Sequence, residues 1–351
     1  MKSFDYVRPA SVSDAIAAAS LPGAVYLAAG TNLLDLMKGG VSRPDRLIDV
    51  TRLPGLDRIE PLADGGVRIG ALVRNADLAH DPAFAKSYPA VVEALLSGAS
   101  AQLRNAATVG GNLLQRTRCA YFYDVASACN RREPGSGCDA RHGENRLHAV
   151  LGWSDACIAT HPSDLCVPLV ALDAVVEIEG KSGRREVRLE DLHRLPGEEP
   201  QRETVLAPGD LIVALKLPAG ARNFSGHARY LKVRERTSYA FAVVSAAACL
   251  SIARGEIAEA RIALGGVAAK PWRARAAEKL LAGTPDAENF RRAAEAALAD
   301  AKPSGDNEFK IELARRIVLR ALTLAAAGTP ERIAALPAFP FSTQPGALHD
   351  A

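Results

Sequence analysis

Five of the six cysteines in this 351-residue chain lie within 48 consecutive residues: Cys119, Cys129, Cys138, Cys157 and Cys166. Thiolates bind zinc and iron–sulfur clusters and also take part in disulfide exchange. The clustering has three explanations: a metal site, a local disulfide knot, or chance. Because the compartment of a chain without an export signal keeps thiols reduced, we favour the metal site.

The spacing of the first four cysteines bears on the kind of metal site. They are separated by 9, 8 and 18 residues. Zinc sites typically contain cysteine pairs about two to four residues apart, and no such pair occurs here. Widely spaced thiolates in a glycine- and arginine-rich loop suit a cuboidal iron–sulfur cluster, whose negative charge Arg131, Arg132 and Arg141 would offset. Cys249 lies in an apolar stretch, and we expect it to be a small core residue.

Two glycine-containing turns provide candidate anion sites, one within residues 27–34 and one within residues 107–112. A strand that ends in small residues exposes successive backbone N–H groups, which can bind a phosphate. Gly30 permits the first turn, and Gly110 and Gly111 permit the second. Neither turn matches G-x-G-x-x-G, and no GK[ST] follows, so each alone is more typical of a structural turn.

A fourth motif, His161-Pro162-Ser163-Asp164, contains a possible catalytic His–Asp pair. A turn in which Asp164 caps the next element is the simpler interpretation. The chain contains no G-x-S-x-G, HExxH or EF-hand motif, so the common hydrolase and metalloprotease signatures are absent.

Composition excludes several classes of function. The 43 basic and 40 acidic residues give a net charge of only +3, which does not favour nucleic acid as a partner. No apolar run reaches the roughly 18 residues that a membrane span needs. The first residues show no apolar signal region and no twin arginine, so we expect no export signal of the chain's own.

Hydrophobic patterning predicts a mixed α/β chain with a domain boundary within residues 218–224. A capping-box pattern at Ser11 opens the first helix. The remaining predicted elements are strands at 24–29, 45–50, 66–71, within 167–180, 211–217, 230–234, 240–252 and 257–267, and helices at 83–97, 287–301 and 309–326. Four prolines from residue 330 onward predict a tail without regular structure.

Taken in order, these motifs make the chain resemble the FAD-binding subunit of the xanthine dehydrogenase family of molybdenum hydroxylases. The resemblance extends over nearly the full length. It is carried by residues 28–33 (Ala-Ala-Gly-Thr-Asn-Leu), 104–112, Ser163-Asp164, 208–212 and 230–232. Ala29 and Asn32 stand where many relatives have glycine and aspartate, and we expect both differences to preserve binding.

Four of the cysteines, Cys119, Cys129, Cys138 and Cys157, lie in an insertion, at about residues 116–158, that most members of the family lack. The insertion is similar to one in FAD subunits of bacterial aldehyde oxidoreductases that carry a 4Fe–4S cluster. A related insertion in 4-hydroxybenzoyl-coenzyme A reductase matches less well. The resemblance implies Cys119, Cys129, Cys138 and Cys157 as cluster ligands, with Cys166 as the alternative to Cys157.

The resemblance also implies an α+β architecture and a set of partners. Residues 1–218 would form a two-subdomain FAD-binding fold of the p-cresol methylhydroxylase type, 219–328 a small α+β domain, and 329–351 a Pro-rich tail. The partners would be a large molybdopterin-binding subunit and a small 2Fe–2S subunit in a heterotrimer. Electrons from aldehyde oxidation would then reach FAD and an external acceptor, in the cytoplasm or, by co-export with a partner, in the periplasm.

The family's FAD contacts carry over to matching positions of this sequence. Asp164 would bind the adenosine part, Ile212 would pack near the isoalloxazine, and Lys232 would approach its polar edge. Thr108, Gly111 and Asn112 would contact the diphosphate and ribityl region. Backbone N–H groups would hold the pyrophosphate at Leu27, Ala28, Ala29, Gly30, Thr31, Asn32, Leu33 and Leu34.

Two other functions remain open from the sequence. The chain could be a zinc-stabilised structural or interaction subunit that has lost its flavin, or a stand-alone flavoprotein oxidase. The glycines, Asp164 and Lys232 argue against flavin loss, and the lack of an evident acid–base pair beside the flavin motifs argues weakly against an oxidase.

Overall fold

The computed structural model describes residues 1–331, which fold around three β-sheets. Its mixture of helices and strands confirms the α+β expectation. The strands are β1 (Asp5–Val7), β2 (Ala24–Leu27), β3 (Arg46–Asp49), β4 (Ile59–Pro61), β5 (Val67–Gly70), β6 (Val175–Gly180), β7 (Gly183–Arg188), β8 (Leu211–Leu217), β9 (Ala228–Val233), β10 (Val244–Ala253), β11 (Glu256–Gly265) and β12 (Trp272–Arg273).

Most helices are short, and several cluster between β5 and β6. They are α1 (Val12–Ala19), α2 (Leu33–Lys38), α3 (Asn75–His80), α4 (Pro82–Ser87), α5 (Pro89–Ser97), α6 (Ala101–Ala106), α7 (Val109–Leu113), α8 (Ala120–Tyr123), α9 (Cys166–Ala171), α10 (Leu189–Leu192), α11 (Arg275–Glu278), α12 (Ala287–Ala297) and α13 (Phe309–Ala326). Ser11 is the N-cap of the first of these, since its side chain accepts from the Asp14 backbone N–H, the first half of the predicted capping box.

The three sheets divide the described chain into an N-terminal and a C-terminal part. The first sheet is parallel, in the order β1-β3-β2, and the second is antiparallel, in the order β4-β5-β8-β6-β7. The third, β12-β11-β10-β9, is antiparallel and belongs to the C-terminal domain. A 3₁₀ turn, Ala219–Phe224, lies between the second and third sheets, and the domain boundary expected there remains a prediction.

The central strand of the third sheet, β10, is buried on both faces. Because side chains alternate along a strand, Ala246 and Ala248 join the core formed with α12 and α13. Ala247 and Cys249 point the other way, into the core that contains α5 and α9. Small residues therefore let this sheet pack between helices of both domains, and Cys249 is the buried core residue that the sequence predicts.

The cysteine-rich insertion also packs against the C-terminal domain. Val150 and Leu151 are fully buried in that domain's core. The Val150 backbone donates to the Val267 carbonyl at 2.8 Å and accepts from the Lys302 N–H at 2.8 Å. The Val150 backbone thus bonds to two separate segments of the C-terminal domain. The position of the insertion in the sequence does not indicate this contact.

Two predicted elements differ from the structure. The helix predicted at 83–97 is two helices that meet at Tyr88, because Pro89 removes a donor and disfavours helical backbone before it. The apolar stretch predicted as a strand within 167–180 holds α9 before β6 begins at Val175. Short apolar runs fit a buried helix as well as a strand, so periodicity alone does not separate the two.

The predicted tail lies almost wholly outside the described residues, which end at residue 331. Its first residue, Thr329, is part of the fold, since its N–H donates to the Gly226 carbonyl and its hydroxyl accepts from the Ala228 N–H. Within residues 1–331, no helix is both long enough and apolar enough to cross a membrane.

Lys310, on α13, joins the insertion to the C-terminal domain. Its side chain is fully buried, and its ammonium group donates to the carbonyls of Leu147 at 2.8 Å, His148 at 2.7 Å and Gly266 at 2.7 Å. Burial lowers the Lys310 pKa to about 7, and the three carbonyls give every N–H of its ammonium form an acceptor.

We predict that Lys310→Met lowers the free energy of unfolding by about 3 kcal/mol, because three buried carbonyls lose their donor. Thermal unfolding of the purified chain measures the change. Lys302→Met is the matched control, since that side chain is exposed and only its backbone bonds to the insertion. Equal stability of the two variants would contradict a clamping role for Lys310.

Candidate cofactor sites

A cavity of about 750 Å³ lies between the helices of the N-terminal part and the C-terminal domain. Six of the predicted FAD residues line it: Thr31, Asn32, Gly111, Asn112, Asp164 and Lys232. The other predicted residues, all within the described chain, do not line it: Leu27, Ala28, Ala29, Gly30, Leu33, Leu34, Thr108 and Ile212. Contacts of these residues with FAD remain predictions.

The first glycine turn brings a free polar group to the cavity wall. Gly30 has φ +75°, which lets β2 turn directly into α2. The Asn32 side-chain oxygen accepts from the Arg116 N–H at 2.9 Å, whereas its amide nitrogen is buried without a partner in residues 1–331. Asn75, a cavity residue that sequence reasoning missed, likewise has a buried, unpartnered side-chain oxygen. A bound polar ligand would satisfy both groups.

The second glycine turn forms α7, and its residues have distinct roles. The Thr108 hydroxyl caps the helix by accepting from the Gly111 N–H at 3.3 Å. Gly110 is required for packing, because a Cβ there would lie 2.9 Å from the Ala71 Cβ. The Asn112 side-chain oxygen accepts from Ser163 and Gln115, both at 2.7 Å, which leaves its NH₂ group for a ligand.

Asp164 and Lys232 form a buried ion pair at the cavity wall. The Lys232 ammonium donates to Asp164 at 2.7 Å and to the Ser97 carbonyl at 3.1 Å. The Tyr230 hydroxyl donates to the other Asp164 oxygen at 2.5 Å, and burial followed by this carboxylate raises the tyrosine pKa well above its usual value. Asp164 and Lys232 are thus in direct contact, and their predicted roles, at the adenosine part of FAD and at the polar edge of the isoalloxazine, remain predictions.

Ile212 lies in the core and not at the cavity. It is 3 % exposed in β8, opposite Ile178 of β6, and packs in the large N-terminal core. Ile212 therefore packs within the core and does not line the cavity. Its packing near an isoalloxazine remains a prediction.

A second, smaller cavity is lined by Cys119, Cys129, Cys138 and Cys157. Cys129 and Cys138 face each other across a short bridged loop, closed by the Asn130 N–H bond to the Gly137 carbonyl at 2.7 Å. Gly137 has φ +100°, so this loop needs glycine. Four thiols separated along the chain thus converge on one space.

The surroundings of these thiols suit a negatively charged metal cluster. The buried Arg131 donates to the Cys157 sulfur at 3.6 Å and to Glu203 at 2.9 Å, and the Ala159 N–H also points to Cys157 at 3.5 Å. Burial alone would lower the Arg131 pKa, but Glu203 and Cys157 raise it above its usual value. The guanidinium therefore stays charged. Burial raises the pKa of Cys119 to about 12, so a metal must displace its proton.

Cys166 lies apart from this cavity, in a buried group with His161 and His193 whose ligand atoms are within 4.8 Å of one another. His161 Nδ1 accepts from the Ser163 N–H at 3.3 Å, so the proton is on Nε2. His193 Nε2 donates to the Leu113 carbonyl at 2.8 Å, so its Nδ1 is an acceptor. His161 Nε2 and His193 Nδ1 are both buried without a hydrogen-bond partner in residues 1–331, and the two rings pack with their centroids 4.4 Å apart.

The two cavities share a wall. Among the described residues, Thr117 and Cys119 belong to both linings. The cysteine site therefore adjoins the larger cavity directly. Sequence reasoning did not predict this proximity.

The described chain thus combines an α+β fold, a large cavity with polar groups on its wall, and a smaller cysteine-lined cavity beside it, which together suit a subunit that binds cofactors. Residues 2–220 match the FAD binding domain in molybdopterin dehydrogenase, and residues 229–325 match the CO dehydrogenase flavoprotein C-terminal domain. The chain belongs to the FAD-binding subunits of the molybdopterin dehydrogenase family, which confirms the resemblance inferred from its motifs.

Individual relatives support the same assignment. The chain is 49 % identical over 331 residues to the aldehyde oxidoreductase FAD-binding subunit PaoB of Escherichia coli, covering 93 % of this chain and 99 % of the relative. It is 28 % identical to the carbon monoxide dehydrogenase medium chain of Hydrogenophaga pseudoflava, over 92 % and 96 % of the two chains. A solved CO dehydrogenase from Oligotropha carboxidovorans superposes with a TM-score of 0.73 at 26 % identity, over 93 % and 99 %. The chain is thus an aldehyde oxidoreductase-like FAD-binding subunit of an oxidoreductase.

We predict that Asp164→Asn weakens FAD retention at least tenfold, because the Lys232 ammonium at the cavity wall loses its compensating charge. FAD per chain after desalting, and fluorescence titration of the released cofactor, measure the effect. Asp77→Asn is the matched control, an exposed carboxylate on α3 outside the cavity. Unchanged FAD affinity in the Asp164 variant would exclude this pair from the binding site.

Proposed function

We propose that this chain is the FAD- and 4Fe–4S-containing electron-transfer subunit of a heterotrimeric, molybdenum-dependent aldehyde oxidoreductase. The 49 % identity to PaoB, over nearly the whole of both chains, supports the aldehyde oxidoreductase class. The observation that carries the proposal further is the convergence of four cysteines on a cavity that adjoins the proposed flavin site.

The cluster ligands would be Cys119, Cys129, Cys138 and Cys157. Their sulfurs line one cavity, and N–H donors and the Arg131 charge are available to offset the charge of a cluster. Cys166, the alternative ligand, is fully buried in the N-terminal core, and its N–H donates to the Ser163 hydroxyl at 3.2 Å. Its position favours the first four thiols as the ligand set.

FAD would occupy the 750 Å³ cavity and supply one- and two-electron chemistry there. The free amide groups of Asn32 and Asn112 would hold its polar atoms. The Lys232 ammonium, fixed by Asp164 and the Ser97 carbonyl, would present positive charge to the same cofactor. A cation at that place stabilises added negative charge, so Lys232 would favour the reduced form.

The proposed partners are a large molybdopterin-binding subunit and a small subunit with 2Fe–2S clusters. Relatives named as medium chains or medium subunits support a place in such an assembly. Electrons from the aldehyde would enter through those partners, and this chain would deliver them to an external acceptor. Its own residues bind and tune the cofactors and need no acid–base pair for substrate.

We predict that Cys138→Ser, and likewise Cys157→Ser, abolishes stable iron binding, since serine is a poor cluster ligand. Iron, zinc, acid-labile sulfide and FAD are measured on the same full-length chain, purified without oxygen. FAD should remain near wild type, because neither residue lines the larger cavity.

Cys166→Ala is the matched control for these variants, a buried thiol away from the cysteine cavity. Its iron and sulfide should equal those of wild type. Iron retained after Cys157→Ser but lost after Cys166→Ala would overturn the ligand set. Zinc in place of iron throughout would favour a structural role for the cysteines.

A further inference from the structure

His148 lies at the contact between the two cavities. The residue lines the larger cavity, and its Nε2 is 3.2 Å from the sulfur of Cys119, the cysteine common to both linings. The residue is 8 % exposed, and its Nδ1 is buried without a partner in residues 1–331. Neither the motifs nor the comparisons assign a role to it.

The direction of the contact follows from the chemistry of sulfur as a ligand. A metal-bound thiolate has lone pairs and no proton, so it can only accept a hydrogen bond. Nε2 must then carry a proton and donate it toward Cys119. The contact between His148 and Cys119, at 3.2 Å, is shorter than the hydrogen bond from Arg131 to the Cys157 sulfur, at 3.6 Å.

The C-terminal domain fixes the position of the imidazole. The His148 carbonyl accepts from Lys310 at 2.7 Å and from Asn307 at 3.1 Å, while its N–H donates to Asn145 at 2.9 Å. Lys310 and Asn307 are fully buried. The backbone that carries the ring is thus held by three hydrogen bonds, one of them from Lys310 in the first turn of α13 and one from Asn307 just before that helix.

We propose that His148 is a positioning residue for the cluster, donating an Nε2–H···S hydrogen bond to Cys119 that raises the cluster's reduction potential. This inference rests on the proposed function, because it requires a cluster on the four cysteines. A hydrogen bond to a ligand sulfur stabilises the reduced, more negative state more than the oxidised one. The effect falls on Cys119, the proposed ligand that also lines the larger cavity. The cluster's potential decides how electrons divide between the two cofactors.

The test compares His148→Leu, which removes the donor, with His148→Gln, whose amide N–H reaches a similar position. The full-length chain is purified without oxygen, and the cluster's midpoint potential is measured by redox titration with electron paramagnetic resonance. We expect His148→Leu to shift the reduction equilibrium about tenfold toward the oxidised cluster, which is about 59 mV for one electron. His148→Gln should stay close to wild type. His142→Leu, an exposed histidine of the same insertion, should have no effect.

Each outcome separates the inference from the proposed function. No reduced-cluster signal in the wild-type chain means that the proposed cluster is absent. A wild-type signal with unchanged potential in His148→Leu overturns the inference alone, as do equal shifts in both His148 variants. If His148→Leu loses its cluster, the test is pulsed electron paramagnetic resonance on the wild-type chain labelled with ¹⁵N-histidine. The hydrogen bond requires a coupling between a histidine nitrogen and the reduced cluster. Absence of that coupling overturns the inference.

Discussion

The ion pair between Asp164 and Lys232 is the interaction on which the larger cavity depends. Asp164 precedes α9 in the N-terminal part, and Lys232 lies on β9 of the C-terminal domain, so the pair joins two domains across 68 residues of sequence. Glu93 of α5 makes a parallel connection to Arg229 and the Tyr230 N–H. Two buried charges are costly unless they are paired and hydrogen-bonded, and the partners of Asp164 and of Lys232 given above all come from the other domain. This fixes the C-terminal sheet against the helices and leaves polar groups facing the space between them.

The same arrangement explains how an insertion can form a second site beside the first. Residues after Cys138 reach the C-terminal core through Val150 and are held there by Lys310. Cys119 lies at the other end of the insertion, between α7, which ends at Leu113, and α8, which begins at Ala120. The thiols converge because the insertion is fixed at both domains, and for the same reason their cavity shares Thr117 and Cys119 with the larger one. Proximity of the sites is thus a consequence of domain packing.

Much of the C-terminal domain could be predicted from sequence, because amphipathic periodicity marks α13 at Phe309–Ala326 and turns flank its strands. The clustering of cysteines likewise predicted a shared site. Individual partners could not be predicted: Asn75, His148 and Lys310 belong to no motif, and their roles arise from contacts across the fold. The contact between Asp164 and Lys232 could not be predicted either, because a family role gives no distance between two residues. The helix α9 was missed because its apolar run lacks a period long enough to distinguish it from a strand.

The most direct measurement is the cofactor content of the wild-type full-length chain, with iron, acid-labile sulfide, zinc and FAD quantified on one sample purified without oxygen. The account predicts one FAD with about four iron and four sulfide per chain. FAD with zinc, or FAD without metal, would contradict the claim that the four cysteines hold an iron–sulfur cluster beside the flavin.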